Sequence, residues 1–304
     1  MAESFCRVGE VELCYETFGD PADPAMLLIM GLGTQMLGWQ EEFCEQLAAR
    51  GFHVIRYDNR DIGRSTILDD FPAPTLGQLI RRDKRAAAYT LADLAGDGVG
   101  LLDHLGIERA HLVGASMGGM IAQLIAARRP ERVLSLVSIM SNTGSRWSGQ
   151  PALSTYRLFL RPIARERDAY VRQAAELFDH IGSRGFEKDD AAFREQLGAM
   201  YDRGHSPGSA SRQLAAILAS GDRTAELRHI TAPSLVIHGT ADKLVRPSGG
   251  RATARAIPGA RLLTIEGMGH DLPRGAWPQI IDAIVENAAR AREPVSATAQ
   301  PARS

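Results

Sequence analysis

At 304 residues, the chain can bury a full hydrophobic core as one large domain, or as one domain with an inserted subdomain. Its 44% hydrophobic and 23% charged residues are ordinary for a soluble globular protein. The formal net charge of −1 gives no overall electrostatic attraction to nucleic acid or to an acidic membrane. No apolar stretch approaches the roughly 20 residues of a membrane helix, and the acidic N-terminus is unlike a secretory signal, so we predict a cytoplasmic protein without stable membrane insertion.

Short apolar or β-branched runs alternate with helical patterns along most of the chain. Several inner runs are nearly continuous apolar stretches, which is typical of strands covered by helices on both faces. The predicted strands are 11–19, 25–31, 53–59, 109–116, 133–141, 234–242 and 261–270, and the predicted helices are 38–51, 90–106, 118–131 and 278–292. This alternation predicts an α/β fold with a mostly parallel central sheet flanked by helices.

The alternation breaks between about residues 145 and 230. That region is rich in arginine and alanine, has helical spacing of its apolar residues and contains no convincing strand pattern. We therefore predict a core formed by 1–144 and 231–292, with a helical insertion at 145–230. The last residues, 293–304, have no periodicity and are expected to be a disordered tail.

The stretch LVGASMGG at 112–119 places Ser116 among glycines, between a strand pattern and a helix pattern. A sharp strand-to-helix turn would hold Ser116 Oγ clear of the sheet at a helix N-terminus, where developing negative charge is favoured. In this interpretation Gly114 and Gly118 permit the tight turn, and Gly119 lets the following helix pack closely. The alternative is a glycine-rich turn with no chemistry.

A serine hydroxyl is a poor nucleophile until a base takes its proton, so a histidine and an orienting acid are expected elsewhere. Asp242 and His270 lie at the carboxyl ends of two successive predicted strands, where such sheets gather their ligands. The order Ser116, Asp242, His270 matches the order expected of this arrangement. The alternative position for the acid is the end of the strand that precedes the insertion. The sequence there is Met-Ser-Asn at 140–142 and contains no carboxylate.

Stabilising an oxyanion requires two preset backbone N–H groups. Met117, directly after the serine, is one candidate donor, and Leu32 within the sequence GLG is the other. The flanking Gly31 and Gly33 would let this backbone approach the substrate. Trp39, a little further along the chain, is a further candidate for substrate contact.

From about residue 10 to 290, apart from the insertion, the sequence is similar to the α/β-hydrolase superfamily. The stretch YDNRDIGRS resembles the D-x-R-G-x-G-x-S segment of that superfamily, although Asp61 stands where glycine is usual. Under this resemblance the segment has a structural role, with Arg60 and Ser65 as hydrogen-bonding residues. Many members carry His-Gly at the oxyanion loop, whereas this chain has Met-Gly at 30–31.

Two further stretches narrow the resemblance. MGLGTQMLGW at 30–39 and GMGHDLP at 267–273 are similar to a subgroup of actinobacterial esterases and lipases that includes aclacinomycin methylesterase. The resemblance implies that the inserted helices at 145–230 form a cap over the active site.

The motifs together predict a serine hydrolase that cleaves small-molecule carboxylic esters through an acyl-enzyme. The same three side chains support thioester hydrolysis, C–C bond hydrolysis, lactone opening and perhydrolysis, and a slow-turnover small-molecule receptor is a further alternative. Serine rather than aspartate at position 116 argues against epoxide hydrolase and dehalogenase chemistry. No phosphate loop, dinucleotide fingerprint or zinc-type spacing of the three cysteines occurs, so no cofactor or metal is expected. The physiological substrate and the oligomeric state are left open.

Overall fold

A computed structural model describes residues 2–159, 161 and 164–291 of the chain, and the predicted tail at 293–304 lies outside them. The strands are β1 (Ser4–Val8), β2 (Val11–Phe18), β3 (Ala25–Ile29), β4 (His53–Tyr57), β5 (Ala110–Ala115), β6 (Val133–Ile139), β7 (Ser234–Gly239) and β8 (Arg261–Ile265). The helices are α1 (Glu41–Ala48), α2 (Leu76–Arg81), α3 (Leu91–His104), α4 (Met117–Arg128), α5 (Leu153–Phe159), α6 (Arg167–Ile181), α7 (Asp190–Arg203), α8 (Ser209–Ser220), α9 (Thr224–Leu227), α10 (Ser248–Ala256) and α11 (Trp277–Ala289). Within the described ranges, no helix combines the length and apolar character needed to cross a membrane.

The strands form one eight-stranded sheet in the order β1-β2-β4-β3-β5-β6-β7-β8. The pairs β1/β2 and β2/β4 are antiparallel, and the pairs from β4/β3 to β7/β8 are parallel. The predicted α/β fold with a mostly parallel sheet is therefore confirmed. The first strand was not predicted, because β1 is a short edge strand with a mostly exposed burial pattern and gives no apolar run.

Strand β3 shows how the apolar runs build the core. All five of its residues are buried, and successive side chains point to opposite faces of the sheet. Leu27 and Ile29 join the hydrophobic cluster that includes α3 and α4. Met26 and Leu28 join the second cluster, which includes α1 and α11. The sheet is thus covered on both faces, as the continuous apolar runs predict.

The segment between β6 and β7 contributes five helices, α5 to α9, and no strand among its described residues. Helices α6 and α7 pack against each other, while α8 contacts α2 and α3 on the side of the sheet that carries α4. Helix α9 contacts α4 and α10. The helical character predicted for 145–230 is observed, and its role as a cap is taken up below as a proposal.

Helix α8 is anchored to the loop after β4 by a buried ion pair. Arg212 Nε and Nη2 lie 2.7 Å from the two carboxylate oxygens of Asp61, and the side chains are 3% and 0% exposed. Asp61 also accepts hydrogen bonds from Tyr89 Oη at 3.0 Å, Ser209 Oγ at 3.3 Å and the Leu68 amide at 3.1 Å. Asp61 has φ 68°, a left-handed conformation that glycine adopts most easily and aspartate tolerates better than most residues.

We predict that Arg212→Met lowers the free energy of unfolding by about 3–5 kcal/mol, because it leaves the Asp61 charge buried without its partner. Arg261→Met is the matched control: Arg261 pairs with Glu286 at 2.6 Å, but these side chains are 53% and 61% exposed. That variant should lose less than about 1 kcal/mol. Urea unfolding of both proteins measures the difference, and equal losses would contradict the assignment of Arg212 as an anchor.

Candidate active site

Ser116 is the single residue between β5 and α4. Its backbone has φ 55° and ψ −116°, a conformation that costs a non-glycine residue about 1–3 kcal/mol. The surroundings hold it there: the Ser116 amide donates to the Ile139 carbonyl at 2.9 Å, and Ser141 Oγ donates to the Ser116 carbonyl at 2.8 Å. The predicted sharp strand-to-helix turn is therefore present, and its strain is balanced by bonds to the end of β6.

The glycines around Ser116 allow α4 to start close against the sheet. A Cβ atom on Gly118 would overlap the Ile29 carbonyl at the end of β3, and one on Gly114 would overlap the Gly118 backbone. A Cβ on Gly119 would lie 2.7 Å from Ser141 Cβ. Gly114 thus permits the tight turn and Gly119 permits close packing, as predicted, while Gly118 lets the helix approach β3.

The structure brings Ser116, Asp242 and His270 together from three separate strand ends. His270 Nε2 lies 3.0 Å from Ser116 Oγ, and His270 Nδ1 lies 2.8 Å from Asp242 Oδ2. The other oxygen, Asp242 Oδ1, accepts from the Leu244 amide at 2.8 Å and from the Val245 amide at 2.9 Å. The three side chains form one continuous hydrogen-bonded chain.

The electrostatic surroundings of Asp242 favour its ionised form. Burial raises the pKa of the carboxyl, but interactions with His270 and His238 outweigh it, and the pKa lies below its usual value. His238 Nε2 donates to the Val245 carbonyl at 2.7 Å and lies 3.5 Å from Asp242 Oδ2. An ionised carboxylate only accepts hydrogen bonds, so His270 Nδ1 carries a proton and Nε2 of the neutral ring can accept one from Ser116.

The loop that carries His270 is held by the last residue of α6 and the segment that follows it. The His270 amide donates to the Ile181 carbonyl at 2.8 Å, and the Gly269 amide donates to Ser183 Oγ at 2.8 Å. Asp271 Oδ1 accepts from the Ser183 amide at 2.8 Å and from Ser183 Oγ at 2.6 Å, and burial raises the pKa of this carboxyl. The sequence analysis missed Ser183, because it belongs to no motif and lies far from His270 along the chain.

The loop after β3 lies directly against the serine turn. A Cβ atom added to Gly31 would be 3.1 Å from Ser116 Cβ, so this position favours glycine. Leu32 follows, half-buried against the hydrophobic cluster on the α3 and α4 face. Met117 is the first residue of α4, so its amide has no acceptor within the helix. The two amides selected from the sequence thus belong to segments that flank Ser116.

Gly33 and Trp39, the other residues considered for substrate contact, contact the protein itself. The Gly33 amide donates to Gln213 Oε1 at 2.8 Å. The Trp39 ring has no exposed surface and stacks on Phe43 with ring centroids 5.5 Å apart. Because a fully buried ring offers no surface to a ligand, we assign Trp39 to the core and leave both residues out of the substrate contacts proposed below.

The segment YDNRDIGRS supports the loop after β3. Ser65 Oγ donates to the Asp58 carbonyl at 2.6 Å, and Arg60 makes two hydrogen bonds of 2.6 Å to Asp97. Asp58 Oδ1 accepts from the Met36 amide at 2.7 Å. Arg60 and Ser65 therefore make hydrogen bonds, as the family resemblance implied, and Asp58 links the two loops.

The three cysteines lie apart from this chain of hydrogen bonds. Cys6, Cys14 and Cys44 are buried free thiols. Burial raises the pKa of Cys14 and of Cys44 to about 12, so both thiols stay protonated near neutral pH. In the described part of the chain, no group of three or more His, Cys, Asp or Glu side chains is arranged to hold a metal ion.

Comparison with known proteins identifies the family. Residues 24–273 match the family model described as the alpha/beta hydrolase fold. The chain belongs to this family. This α/β-hydrolase is 32% identical over 299 residues to rhodomycin D methylesterase DauP of Streptomyces sp. (strain C5), with 90% of this chain and 94% of the relative covered. It is 32% identical over 296 residues to rhodomycin D methylesterase DnrP of Streptomyces peucetius, with the same coverage.

A solved structure of a hydrolase from Pseudomonas aeruginosa is similar to this α/β-hydrolase with a TM-score of 0.71 and 25% sequence identity, covering 96% of this chain and 98% of that one. The predicted resemblance to the superfamily and to its methylesterases is thereby confirmed, as is the prediction of an enzyme of the ester-hydrolase type.

We predict that Gly118→Ala in this α/β-hydrolase lowers the free energy of unfolding by about 3 kcal/mol or more, because the new methyl group meets the rigid Ile29 carbonyl. Gly96→Ala in α3 is the matched control, since a Cβ there meets no heavy atom within 4 Å. That variant should be neutral or up to about 1 kcal/mol more stable. Urea midpoints measure both, and a fully stable Gly118→Ala protein would refute the close approach.

Proposed function

We propose that this α/β-hydrolase cleaves carboxylic esters of small molecules through an acyl-enzyme formed on Ser116. The observation that carries the proposal is the hydrogen-bonded chain from Ser116 Oγ through His270 to Asp242, with distances of 3.0 and 2.8 Å, starting from a strained strand-to-helix turn. A nucleophile within reach of a base that is itself oriented by a third group is the arrangement that acyl transfer requires. Two methylesterases among the relatives favour esters over other acyl compounds.

In the first half-reaction, His270 Nε2 takes the Ser116 hydroxyl proton while Oγ attacks the ester carbonyl carbon. The carbonyl oxygen becomes an oxyanion that accepts hydrogen bonds from the amides of Leu32 and Met117. The tetrahedral intermediate then expels the alcohol, which takes the proton from His270. Water repeats the sequence on the acyl-enzyme: His270 removes its proton, and the carboxylic acid leaves as Ser116 regains its hydrogen.

Asp242 supports both half-reactions without changing its own protonation. Its two bonds from the Leu244 and Val245 amides fix the carboxylate, so the remaining oxygen holds the His270 ring in one orientation and tautomer. The same negative charge stabilises the imidazolium that forms during attack. The lowered pKa of Asp242 is the electrostatic counterpart of this role.

We also propose that the inserted helices at 145–230 act as a cap. The proposal is supported by two contacts to the loops of the site: the segment after α6 bonds to the His270 loop, and Gln213 of α8 bonds to the loop after β3. Substrate selectivity would then depend on cap residues. A methyl ester is the first substrate class to test, because the relatives named above are methylesterases.

We expect Ser116→Ala to reduce turnover of p-nitrophenyl esters by about 10⁶-fold, to the background rate, because no other group supplies the nucleophile. A fluorophosphonate should label Ser116 of the parent protein, as identified by peptide mass spectrometry. Ser154→Ala, which alters an exposed serine at the start of α5, is the control and should keep full activity. Undiminished turnover in Ser116→Ala, or labelling at another residue, would overturn the proposal.

A panel of acyl-thioesters, lactones and vinylogous diketones, tested beside the esters, separates the alternative reactions of the same side chains. Thioester turnover far above ester turnover would replace the ester assignment. A single turnover per protein would favour a receptor.

We expect Asp242→Asn to lower kcat by about 10⁴-fold with little change in KM, because the amide favours the wrong imidazole tautomer. Asp282→Asn is the control, since that carboxylate forms an exposed pair with Arg50 at 2.7 Å. Steady-state kinetics on one ester give both values. A kcat within tenfold of the parent value would remove Asp242 from the mechanism.

The pH dependence of stability gives an independent readout for the same variant. The pKa of Asp242 is lower in the folded protein than in the unfolded chain, where it is about 4. Its contribution to stability is therefore complete above about pH 4 and is lost as pH falls through the lower, native value. The stability difference between the parent protein and Asp242→Asn should accordingly be largest near neutrality and shrink on acidification below about pH 4.

A further inference from the structure

Gln213 of α8 joins two loops of the site from inside the protein. Its side chain is 0% exposed, and both ends of the amide are used. Oε1 accepts from the Gly33 amide at 2.8 Å, and Nε2 donates to the Arg60 carbonyl at 3.2 Å. The bond to Gly33 reaches the loop after β3, which supplies one of the two amides in the proposed oxyanion site.

The residues that Gln213 contacts form a tight turn. The Thr34 amide donates to the Gly31 carbonyl at 3.3 Å, which makes Leu32 and Gly33 the central pair of a β-turn. Gly33 has φ 66°, and a positive φ at the third position is what a type II turn requires.

The central peptide of the turn, between Leu32 and Gly33, is held at both ends. Gln213 accepts from its N–H at 2.8 Å, and Thr34 Oγ1 donates to its carbonyl, the Leu32 oxygen, at 3.3 Å. Types I and II of this turn differ by the orientation of that one peptide. The Gln213 bond therefore selects between two orientations that the glycine alone would allow.

Holding this peptide also limits where the Leu32 amide can point. The Leu32 nitrogen is joined to the same Cα as the fixed peptide, so few torsions separate the two. On its other side, Gly31 lies against Ser116, with a Cβ position 3.1 Å from Ser116 Cβ. Leu32 is thus fixed between the serine turn on one side and Gln213 on the other.

We propose that Gln213 is a positioning residue, which holds the Leu32–Gly33 peptide so that the Leu32 amide faces the oxyanion of the transition state. The inference rests on the proposed esterase function and adds a role for a residue of the inserted segment. The neighbouring Arg212 supports it, because its buried pair with Asp61 fixes the same turn of α8. Gln213 touches neither Ser116 nor His270 in any hydrogen bond of the described residues, and so acts through the loop.

The test is Gln213→Met, which keeps the length of the side chain and removes the acceptor. Since small displacements and lost oxyanion donors reduce rates strongly, we expect kcat to fall about 10- to 100-fold with KM within about twofold. The affinity for an alkylboronic acid, whose adduct with Ser116 resembles the tetrahedral intermediate, should fall by the same factor as kcat/KM. If Gln213 had a purely structural role, Gln213→Met would lower the melting temperature, but the loss of boronic acid affinity would not equal the loss of kcat/KM.

Two further variants provide the controls. Gln196→Met alters another glutamine of the insertion, in α7, whose Nε2 donates to the Leu37 carbonyl at 2.9 Å; it should leave kcat within about twofold. Gln213→Glu, whose protonated carboxyl keeps an acceptor for the Gly33 amide and a donor for the Arg60 carbonyl, should recover most of the kcat that Gln213→Met loses. Each kcat is expressed per Ser116 labelled by fluorophosphonate at completion, so that partly folded preparations are comparable.

Failure of this inference is distinguishable from failure of the proposed function. If Ser116 is not labelled in the parent protein, the proposed function falls. If Ser116 is labelled and Gln213→Met keeps the parent kcat, or raises KM alone, the role of Gln213 is refuted. An equal loss in Gln196→Met, or no recovery in Gln213→Glu, would refute it as well.

Discussion

A single residue, Ser116, separates the end of β5 from the start of α4. The first turn of α4 lies so close to the sheet that a Cβ atom does not fit at Gly114, Gly118 or Gly119. This close approach leaves Ser116 at φ 55° and holds its side chain at the carboxyl edge of the sheet. The bonds of the Ser116 backbone to the end of β6 then balance the strain. The other parts of the site are arranged around that fixed point: the loop after β3 lies on one side, and the loop carrying His270 lies on the other.

The inserted segment makes several contacts with the loops of this arrangement. Arg203 of α7 pairs with the buried Asp58 at 2.6 Å, Gln213 of α8 bonds to the loop after β3, and Ser183 bonds to Asp271 next to the proposed base. These contacts are buried or half-buried, and leaving one partner unsatisfied costs about 1–3 kcal/mol, or more for a charged group. A displacement of the insertion as one rigid lid would break several of them together. These contacts therefore tie the parts of the insertion next to the loops to the core.

The sequence predicts those parts of the molecule that leave a local pattern. Buried parallel strands appear in the sequence as apolar runs, and the glycines around Ser116 indicate a close approach of helix and sheet backbones. The sheet and the turn can therefore be predicted from short stretches of sequence. Asp242 and His270 follow because each lies in the loop after a predicted parallel strand. Gln213 and Ser183 leave no such trace: a glutamine or serine in a helical segment looks like a solvated residue, and its role depends on which distant loop it reaches. Strand β1 is not predicted for a different reason: it is an edge strand with one buried residue, so it gives no apolar run.

Asp61 connects the departure from the family pattern with the insertion. A left-handed residue at this position is least strained as glycine, and aspartate is tolerated there at a modest cost. In return its carboxylate pairs with Arg212, whose guanidinium also pairs with the exposed Asp69 at 3.0 Å. Glycine at position 61 would relieve the backbone, but it would remove the fully buried partner of Arg212 and leave that cation only its pair with the exposed Asp69. The aspartate is therefore explained by α8 rather than by the loop in which it stands, and the same helix turn presents Gln213 to the loop beside Ser116.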